Sequence, residues 1–172
     1  MKILIISPFL PLPTYNGGRT RLVNFIQILS TRHEITLAGL LKPNEYLDDA
    51  WYKSNGIEIF AYPRHTPFSC SNYIHSVFSG SLYVSTYFSK ALKETLSTLL
   101  KKRFFDMAHV VCSYTVPNLP ENIGIPVIVE EPNVQSLVLK QTSNIVRSQM
   151  LKMLYAIESN RLARIESRGV QF

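Results

Sequence analysis

Long hydrophobic runs and cysteine clusters are both missing from this sequence of 172 residues. No run approaches the roughly 20 apolar residues that a membrane-spanning helix needs. The apolar stretch at the N-terminus ends at Ser7, so it is too short for the core of a signal peptide, and it lacks a cleavage-like site. We therefore expect a cytoplasmic protein. The two cysteines, Cys70 and Cys112, show neither metal-ligand spacing nor a disulfide framework, and we expect two reduced, partly buried thiols.

Charged residues are also scarce, at 17% of the chain, against about a quarter in an ordinary domain. With 46% hydrophobic residues, the chain has the composition of one globular domain, which excludes disorder and a collagen-like structure. The net charge of +6 is uneven, because residues 140–172 contain six basic and two acidic residues. Such a basic end suits nucleic acid, an anionic lipid surface or an acidic substrate, or it is simply a solvated helix face.

The spacing of apolar residues predicts strands that alternate with helices. Residues 3–6 are a continuous aliphatic run, typical of a central parallel strand covered on both faces. The pattern predicts further strands at 34–41, 56–62, 106–112 and 125–130, and helices at 19–33, 48–54, 82–102 and 134–168, the last with a break near 142–144. Residues 63–80 are predicted as loop or short helices. We expect one α/β domain over 1–172, a Rossmann-like, doubly wound parallel sheet with helices on both faces.

Several catalytic motifs are absent. No G-x-G-x-x-G is present, which argues against a dinucleotide dehydrogenase, and no G-x4-G-K-[ST], which argues against a P-loop NTPase. The G-x-S-x-G elbow of α/β-hydrolases is missing as well. The four histidines are scattered, and none has a partner at i+2 to i+4, so we expect no metal site.

The first candidate site is Asn16-Gly17-Gly18, at the start of the first predicted helix. Glycines there let a ligand approach the backbone, and the N–H groups at a helix start attract anions such as phosphate. We also expect these glycines to use backbone angles that a β-branched residue resists. Arg19 and Arg21 fall in the first turn, where the dipole disfavours a cation, so an anionic ligand beside them would explain their presence. A plain turn with surface arginines is the alternative.

The second candidate site follows the fifth predicted strand, where ligands of such sheets bind. Glu130 and Glu131 are adjacent, so in an extended chain only one of them faces the cleft. A carboxylate there serves as a general base or as an acceptor for a substrate hydroxyl. Asn133 is equally compatible with a helix N-cap, and Tyr114 follows the neighbouring predicted strand.

The order of these segments resembles a known family. Residues 2–9 (KILIISPF), 16–21 (NGGRTR) and 29–37 (LSTRHEITL) resemble the start of family 4 glycosyltransferases. Residues 105–110 (FDMAHV) are similar to the family's "fD-vvH" strand, and residues 125–136 (IPVIVEEPNVQS) to its fifth strand and the following helix. The matches keep their order and cover nearly the whole chain.

The resemblance implies a GT-B enzyme of two Rossmann-like domains that moves a sugar from a nucleotide donor to a carbohydrate or lipid-linked acceptor, in polysaccharide or glycolipid synthesis. It implies no metal or other cofactor, since the nucleotide-sugar is a substrate, and no nucleic-acid partner. This chain would be the N-terminal, acceptor-side domain, and the donor-binding domain would begin shortly beyond Phe172. The isolated chain would then be inactive.

The resemblance also assigns roles by position. The donor diphosphate and the acceptor would approach the loop of Asn16, Gly17, Gly18 and Arg19. Glu130, where many members carry histidine or aspartate, is the candidate catalytic or acceptor-positioning residue. The acceptor side of the cleft would be formed by Tyr114, Glu131 and Asn133.

Two alternatives compete with the enzyme. A half-domain that binds an acceptor or a partner without chemistry of its own fits the same pattern. A receiver-like signalling domain fits less well, because it needs an acidic pair where this chain has Ser7-Pro8. The basic residues Arg147, Arg161, Arg164 and Arg168 also predict a basic-edged amphipathic helix, for which an anionic membrane surface is a further partner to expect.

Overall fold

A computed structural model describes residues 1–65 and 80–169. In that part of the chain, five parallel strands form one sheet in the order β3-β2-β1-β4-β5. The strands are β1 (Lys2–Ser7), β2 (Glu34–Leu41), β3 (Glu58–Pro63), β4 (Met107–Val111) and β5 (Val127–Glu130). The helices are α1 (Gly17–Ser30), α2 (Asp49–Ser54), α3 (Leu82–Tyr87), α4 (Lys90–Lys102), α5 (Gln135–Ile145) and α6 (Gln149–Gly169), with a 3-10 helix at Ser113–Asn118. The predicted Rossmann-like parallel sheet is confirmed.

The core lies in two layers, one on each face of the sheet. Successive side chains of a strand point to opposite faces, so Ile3 and Ile5 of β1 belong to one apolar cluster and Leu4 and Ile6 to the other. The first cluster includes side chains of α1, α3 and α6, and the second is covered by α4. The aliphatic run of β1 is therefore explained by burial on both of its faces.

The loop after β1 crosses directly over β2 at Gly39. A Cβ atom at this position would lie 2.6 Å from Cδ2 of Leu10 and 3.4 Å from the carbonyl oxygen of Phe9. The loop can rest on the sheet at this height only because residue 39 has no side chain. Gly39 thereby sets the course of the chain toward α1.

Residues 82–102 form two helices rather than the single one that was predicted. Phe88 and Ser89 are extended, and the hydroxyl of Ser89 accepts the N–H of Leu92 and caps α4. The side chain of Asn118 holds this break, because it accepts the Ser89 N–H at 2.8 Å and donates to the Tyr87 carbonyl at 2.9 Å. A serine cap and a contact from a distant element thus override the continuous apolar periodicity.

The predicted helical segment at 134–168 consists of α5 and α6, which pack against each other. The break falls at 146–148, slightly later than predicted, and the Ser148 carbonyl accepts the Lys152 N–H at the start of α6. β5 begins two residues later than predicted. The reason is that Pro126 has no N–H to donate, although its carbonyl accepts the Ala108 N–H at 2.9 Å.

None of the helices in the described ranges is both long and apolar enough to cross a bilayer. Most of the predicted loop at 63–80, including Cys70, lies outside the described residues, and so does the side chain of Arg168.

Candidate functional site

An open cleft of about 620 Å³ lies beyond the carboxyl ends of the central strands, beside the start of α1. Its lining brings together five of the eight residues to which the resemblance gives a role, namely Asn16, Gly17, Gly18, Tyr114 and Asn133. The other lining residues are Phe9, Arg21, Tyr83, Tyr87, Cys112, Pro132 and Gln135. Arg19, Glu130 and Glu131 lie outside this lining.

The start of α1 forms one wall of the cleft. The side chain of Asn16 caps the helix by accepting the Arg19 N–H at 3.0 Å, and the first helical hydrogen bond runs from the Thr20 N–H to the Asn16 carbonyl. The N–H groups of Gly17 and Gly18 precede that bond and have no intrahelical acceptor. A Cβ atom at Gly17 would meet no atom within 4 Å. The backbone here is open to a ligand.

The expectation that these glycines need special backbone angles is wrong. Gly17 and Gly18 belong to α1, and the glycines with positive φ are elsewhere in the described chain. At Gly18 a Cβ would lie 3.2 Å from Cζ of Phe9, so this position is sterically tight. The two glycines matter because they lack side chains.

Arg21 supplies the positive charge beside this helix start. Its guanidinium lies 2.7 Å from Oε1 of Glu130 and stays more than half exposed in the cleft. The other carboxylate oxygen, Oε2, lies 2.9 Å from Nε2 of buried His109, whose ring packs edge-on against Phe25. Burial lowers the pKa of His109, and the charge of Glu130 opposes this only in part. Glu130 is therefore held between a cation and an imidazole.

Arg19 does not face the cleft, contrary to the expectation from the sequence. Only 1% of its side chain is exposed, and its guanidinium lies 2.6 Å from Glu45 and donates to the Leu12 carbonyl at 2.8 Å. The guanidinium also lies 4.4 Å from the centre of the Tyr15 ring. A partly buried carboxylate thus satisfies this cation, and Arg19 fastens the loop before α1 to the chain after β2.

Three tyrosines also line the cleft. The rings of Tyr83, Tyr87 and Tyr114 contact one another, with centroids 4.7 to 5.2 Å apart. Burial raises the pKa of Tyr83 and of Tyr114 far above the ordinary value of a phenol. Tyr83 and Tyr114 are therefore neutral at physiological pH. Tyr83 and Tyr87 are partly exposed and present aromatic surface to the cleft, whereas Tyr114 is buried against them.

Cys112 directly follows β4 and lines the cleft. Its backbone has a φ of 68°, in the left-handed region that residues other than glycine rarely adopt. Its N–H donates to the Glu130 carbonyl at 2.7 Å, and its carbonyl accepts the Thr115 N–H at 3.0 Å. Burial raises the pKa of its thiol to about 12. Neighbouring hydrogen bonds thus hold this turn, and it directs Tyr114 into the cleft.

Glu131 and Asn133, which follow β5, have different surroundings, and only Asn133 lines the cleft. Glu131 accepts the Ser113 N–H at 2.9 Å, and burial raises the pKa of its carboxyl. Its role is to hold the turn between β4 and the 3-10 helix. Asn133 lines the cleft, and the alternative that it caps α5 is wrong, because Val134 is the residue at the N-cap and makes no side-chain cap.

Tyr83, Tyr87 and His109 belong to the site but carry no local sequence signal that singles them out. The two tyrosines were assigned to one long helix, and only the break after Tyr87 brings them to the cleft edge. His109 has no partner nearby in sequence, but the pairing of Val111 with Glu130 places His109 and Glu130 on the same face of the sheet. The alternation of side chains along each strand could have shown this, but only once the register between β4 and β5 was known.

The described residues contain no cluster of three or more histidine, cysteine, aspartate or glutamate side chains arranged to hold a metal ion.

Comparisons with known proteins show similarity at the level of structure. No family model and no curated protein matches the sequence. Among solved structures, the C-terminal domain of a hydrogenase from Pyrococcus furiosus is 15% identical, with a TM-score of 0.47 over 76% of this chain and 90% of that one. UGT2 of Phytolacca americana, complexed with UDP-2fluoro-glucose and pterostilbene, is 11% identical, with a TM-score of 0.49 over 95% of this chain and 45% of that one. Similarities this distant assign neither a family nor an activity.

Proposed function

We propose that this chain is the acceptor-side half of a GT-B glycosyltransferase, which moves a sugar from a nucleotide donor to a carbohydrate or lipid-linked acceptor. The observation that carries the proposal is the composition of the cleft. An open helix start, an exposed arginine and three tyrosines line the same cleft. The sequence resemblance to family 4 glycosyltransferases supports the same reading.

The α1 side of the cleft suits the donor diphosphate. The N–H groups of Gly17 and Gly18 lie at the positive end of the helix dipole, where anions are stabilised. Arg21 brings an exposed guanidinium to the cleft, with its charge partly offset by Glu130. As the sugar bond breaks, negative charge grows on the leaving nucleoside diphosphate, and donors fixed in advance stabilise that charge most effectively.

Glu130 acts in this proposal as a positioning residue rather than as a free base. Its Oε1 lies 2.7 Å from the Arg21 guanidinium, so a substrate hydroxyl would have to displace an ion pair to reach it. With His109 2.9 Å from the other oxygen, the carboxylate fixes the direction in which Arg21 points. In this proposal, Glu130 holds the cation that meets the phosphate.

The tyrosine side suits the acceptor. Sugar rings present C–H faces that pack on aromatic rings, and their hydroxyl groups need hydrogen-bond partners. Partly exposed Tyr83 and Tyr87 supply ring faces, and buried Tyr114 packs against both. The amides of Asn133 and Gln135, which line the same cleft, supply donors and acceptors.

The test is calorimetric titration of the purified chain with UDP, GDP and ADP, and with the matching nucleosides. We expect at least one diphosphate to bind and its nucleoside to bind far more weakly. Gly17→Ala places a methyl group in open space, so the fold should be retained while that methyl covers the N–H groups. We expect affinity to fall about tenfold, as for the loss of one charge-assisted hydrogen bond.

Arg21→Gln provides the second arm, with Arg32→Gln as its matched control. Both arginines are exposed, but Arg32 follows the far end of α1 and does not line the cleft. We expect Arg21→Gln to weaken diphosphate binding and Arg32→Gln to leave it unchanged. Equal effects of the two substitutions, or no diphosphate binding at all, would contradict the proposal.

A further inference from the structure

The outward side of the α5–α6 pair carries large apolar side chains with no cover from the described chain. Ile145, next to the connection between the two helices, is 80% exposed, and Met150 is 66% exposed. Met153, Leu154 and Ile157 continue this surface along α6, each at least 39% exposed. Burying such residues in a core is the normal outcome of folding, so a cluster of five on one helix pair indicates a contact surface.

Basic residues continue the same stripe. At about 100° per residue, Met150, Ile157, Arg161 and Arg164 project within roughly one third of the circumference of α6. Arg161 and Arg164 are exposed, and so is Arg147 in the connection. The stripe is therefore apolar over the first turns of α6 and positively charged over the later turns.

The acidic residues of α6 point the other way. Glu158 accepts the hydroxyl of Ser81, and the N–H of Tyr83 at 2.8 Å. Glu166 accepts the N–H of Ser136 at 3.0 Å and the hydroxyl of the same residue. Both carboxylates are thus occupied on the inner side of α6, and no acidic residue of α5 or α6 is left to neutralise the outward face.

We propose that this face, which we call the hairpin face (Ile145, Arg147, Met150, Met153, Leu154, Ile157, Arg161 and Arg164), docks on an anionic lipid bilayer. An apolar stripe edged only by cations is the pattern of a helix that lies in the bilayer interface, with its apolar side chains among the acyl chains and its cations at the headgroups. Charge complementarity selects lipid phosphate as the partner, because each arginine near an anionic leaflet adds favourable energy. The proposal concerns a surface separate from the cleft and stands independently of the glycosyltransferase assignment.

The experiment is co-sedimentation of the 172-residue chain with vesicles of phosphatidylcholine, alone or with phosphatidylglycerol. We expect binding to the anionic vesicles at low salt, weaker binding near physiological salt, and little binding to pure phosphatidylcholine. Arg161→Gln with Arg164→Gln should reduce the partition coefficient about 30-fold, from two charges at about 1 kcal/mol each. Met150→Gln with Ile157→Gln should also reduce it, because the polar side chains oppose insertion.

Lys101→Gln with Lys102→Gln is the matched control. It removes the same charge from exposed positions at the C-terminal end of α4, which belongs to the opposite face of the sheet. We expect this control to bind like the wild type. Circular dichroism establishes that each variant is folded.

The proposal is overturned if the wild type fails to bind anionic vesicles at low salt, or if the lysine control loses as much binding as the arginine variant. It is also overturned if analytical ultracentrifugation shows a dimer that Met150→Gln with Ile157→Gln abolishes while vesicle binding persists. In that case the hairpin face would be the surface between two copies of the chain.

Discussion

Replacing Glu45 with alanine should destabilise the fold more than any surface substitution, because it strands a buried cation. The guanidinium of Arg19 is 1% exposed and lies 2.6 Å from the carboxylate of Glu45, of which 12% is exposed. The same carboxylate accepts the Tyr15 hydroxyl at 2.7 Å and the Lys42 N–H at 3.0 Å. Removing one partner of a buried pair costs about 3 to 5 kcal/mol. The remaining exposure of Glu45 places this case at the lower end, at about 3 kcal/mol.

Urea denaturation of the 172-residue chain measures this loss, and a thermal scan should show a midpoint lowered by about 6 to 12 °C. Glu34→Ala is the control, because it removes an exposed ion pair with Lys2 and should change the stability by less than about 0.5 kcal/mol. Arg19→Met combined with Glu45→Ala should recover part of the loss, since no unpaired charge is then buried. A change below about 1 kcal/mol for Glu45→Ala would refute the reasoning.

The pH dependence gives a second measure of the same contact. Burial alone would raise the pKa of Glu45, but hydrogen bonds from Tyr15, Arg19 and Lys42, together with the charge of Arg19, lower it overall. A carboxyl whose pKa is lower in the folded state stabilises the fold above its unfolded pKa, and that contribution is lost as the pH falls. The advantage of the wild type over Glu45→Ala should therefore shrink below about pH 4.5.

Three further outcomes are expected. Burial lowers the pKa of His109 from 6.5, so the unfolded state binds the proton more readily than the folded state. The wild type should therefore lose stability below about pH 6.5, by at most about 1.4 kcal/mol per pH unit. The stability of His109→Gln, measured by urea denaturation, should depend less on pH. Iodoacetamide at pH 8 should modify Cys112 about a thousandfold more slowly than a free cysteine, because burial raises the pKa of its thiol to about 12. Peptide mapping measures this rate, and rapid modification would show that the thiol is not buried. Leu162→Ala should lower the free energy of unfolding by about 3 kcal/mol in urea denaturation, because Leu162 is fully buried. Ile157→Ala should lower it by less than about 1 kcal/mol, because Ile157 faces outward. The reverse order would mean that α6 is rotated about its axis.

The sequence was sufficient for the fold because its local signals agree. The aliphatic run at residues 3–6 and the alternation of strands and helices both indicate one parallel sheet, and the structure confirms it. Helix boundaries were less predictable where a distant residue sets them. The break after Tyr87 depends on Asn118, which lies 31 residues away along the chain.

Of the candidate site, the sequence could predict the position of the helix start but not which side chains face the cleft. The start of α1 could be located from Asn16 and the two glycines that follow it. The choice between Arg19 and Arg21 could not be made, because it depends on Glu45, 26 residues from Arg19 and in a separate loop. Helix positions two residues apart point in different directions, and only tertiary contacts decide which one meets the cleft.

The fixing of the loop before α1 has a consequence for the thermodynamics of binding. Gly39 lets this loop rest on the sheet, and the buried pair of Arg19 and Glu45 fastens its far end. Ordering a flexible segment costs about 1 to 2 kcal/mol per residue, and in this protein that entropy is lost on folding rather than on association. A ligand at Gly17 therefore meets a preorganised surface. Its binding should show a small heat-capacity change and an association rate set by diffusion and charge rather than by loop closure.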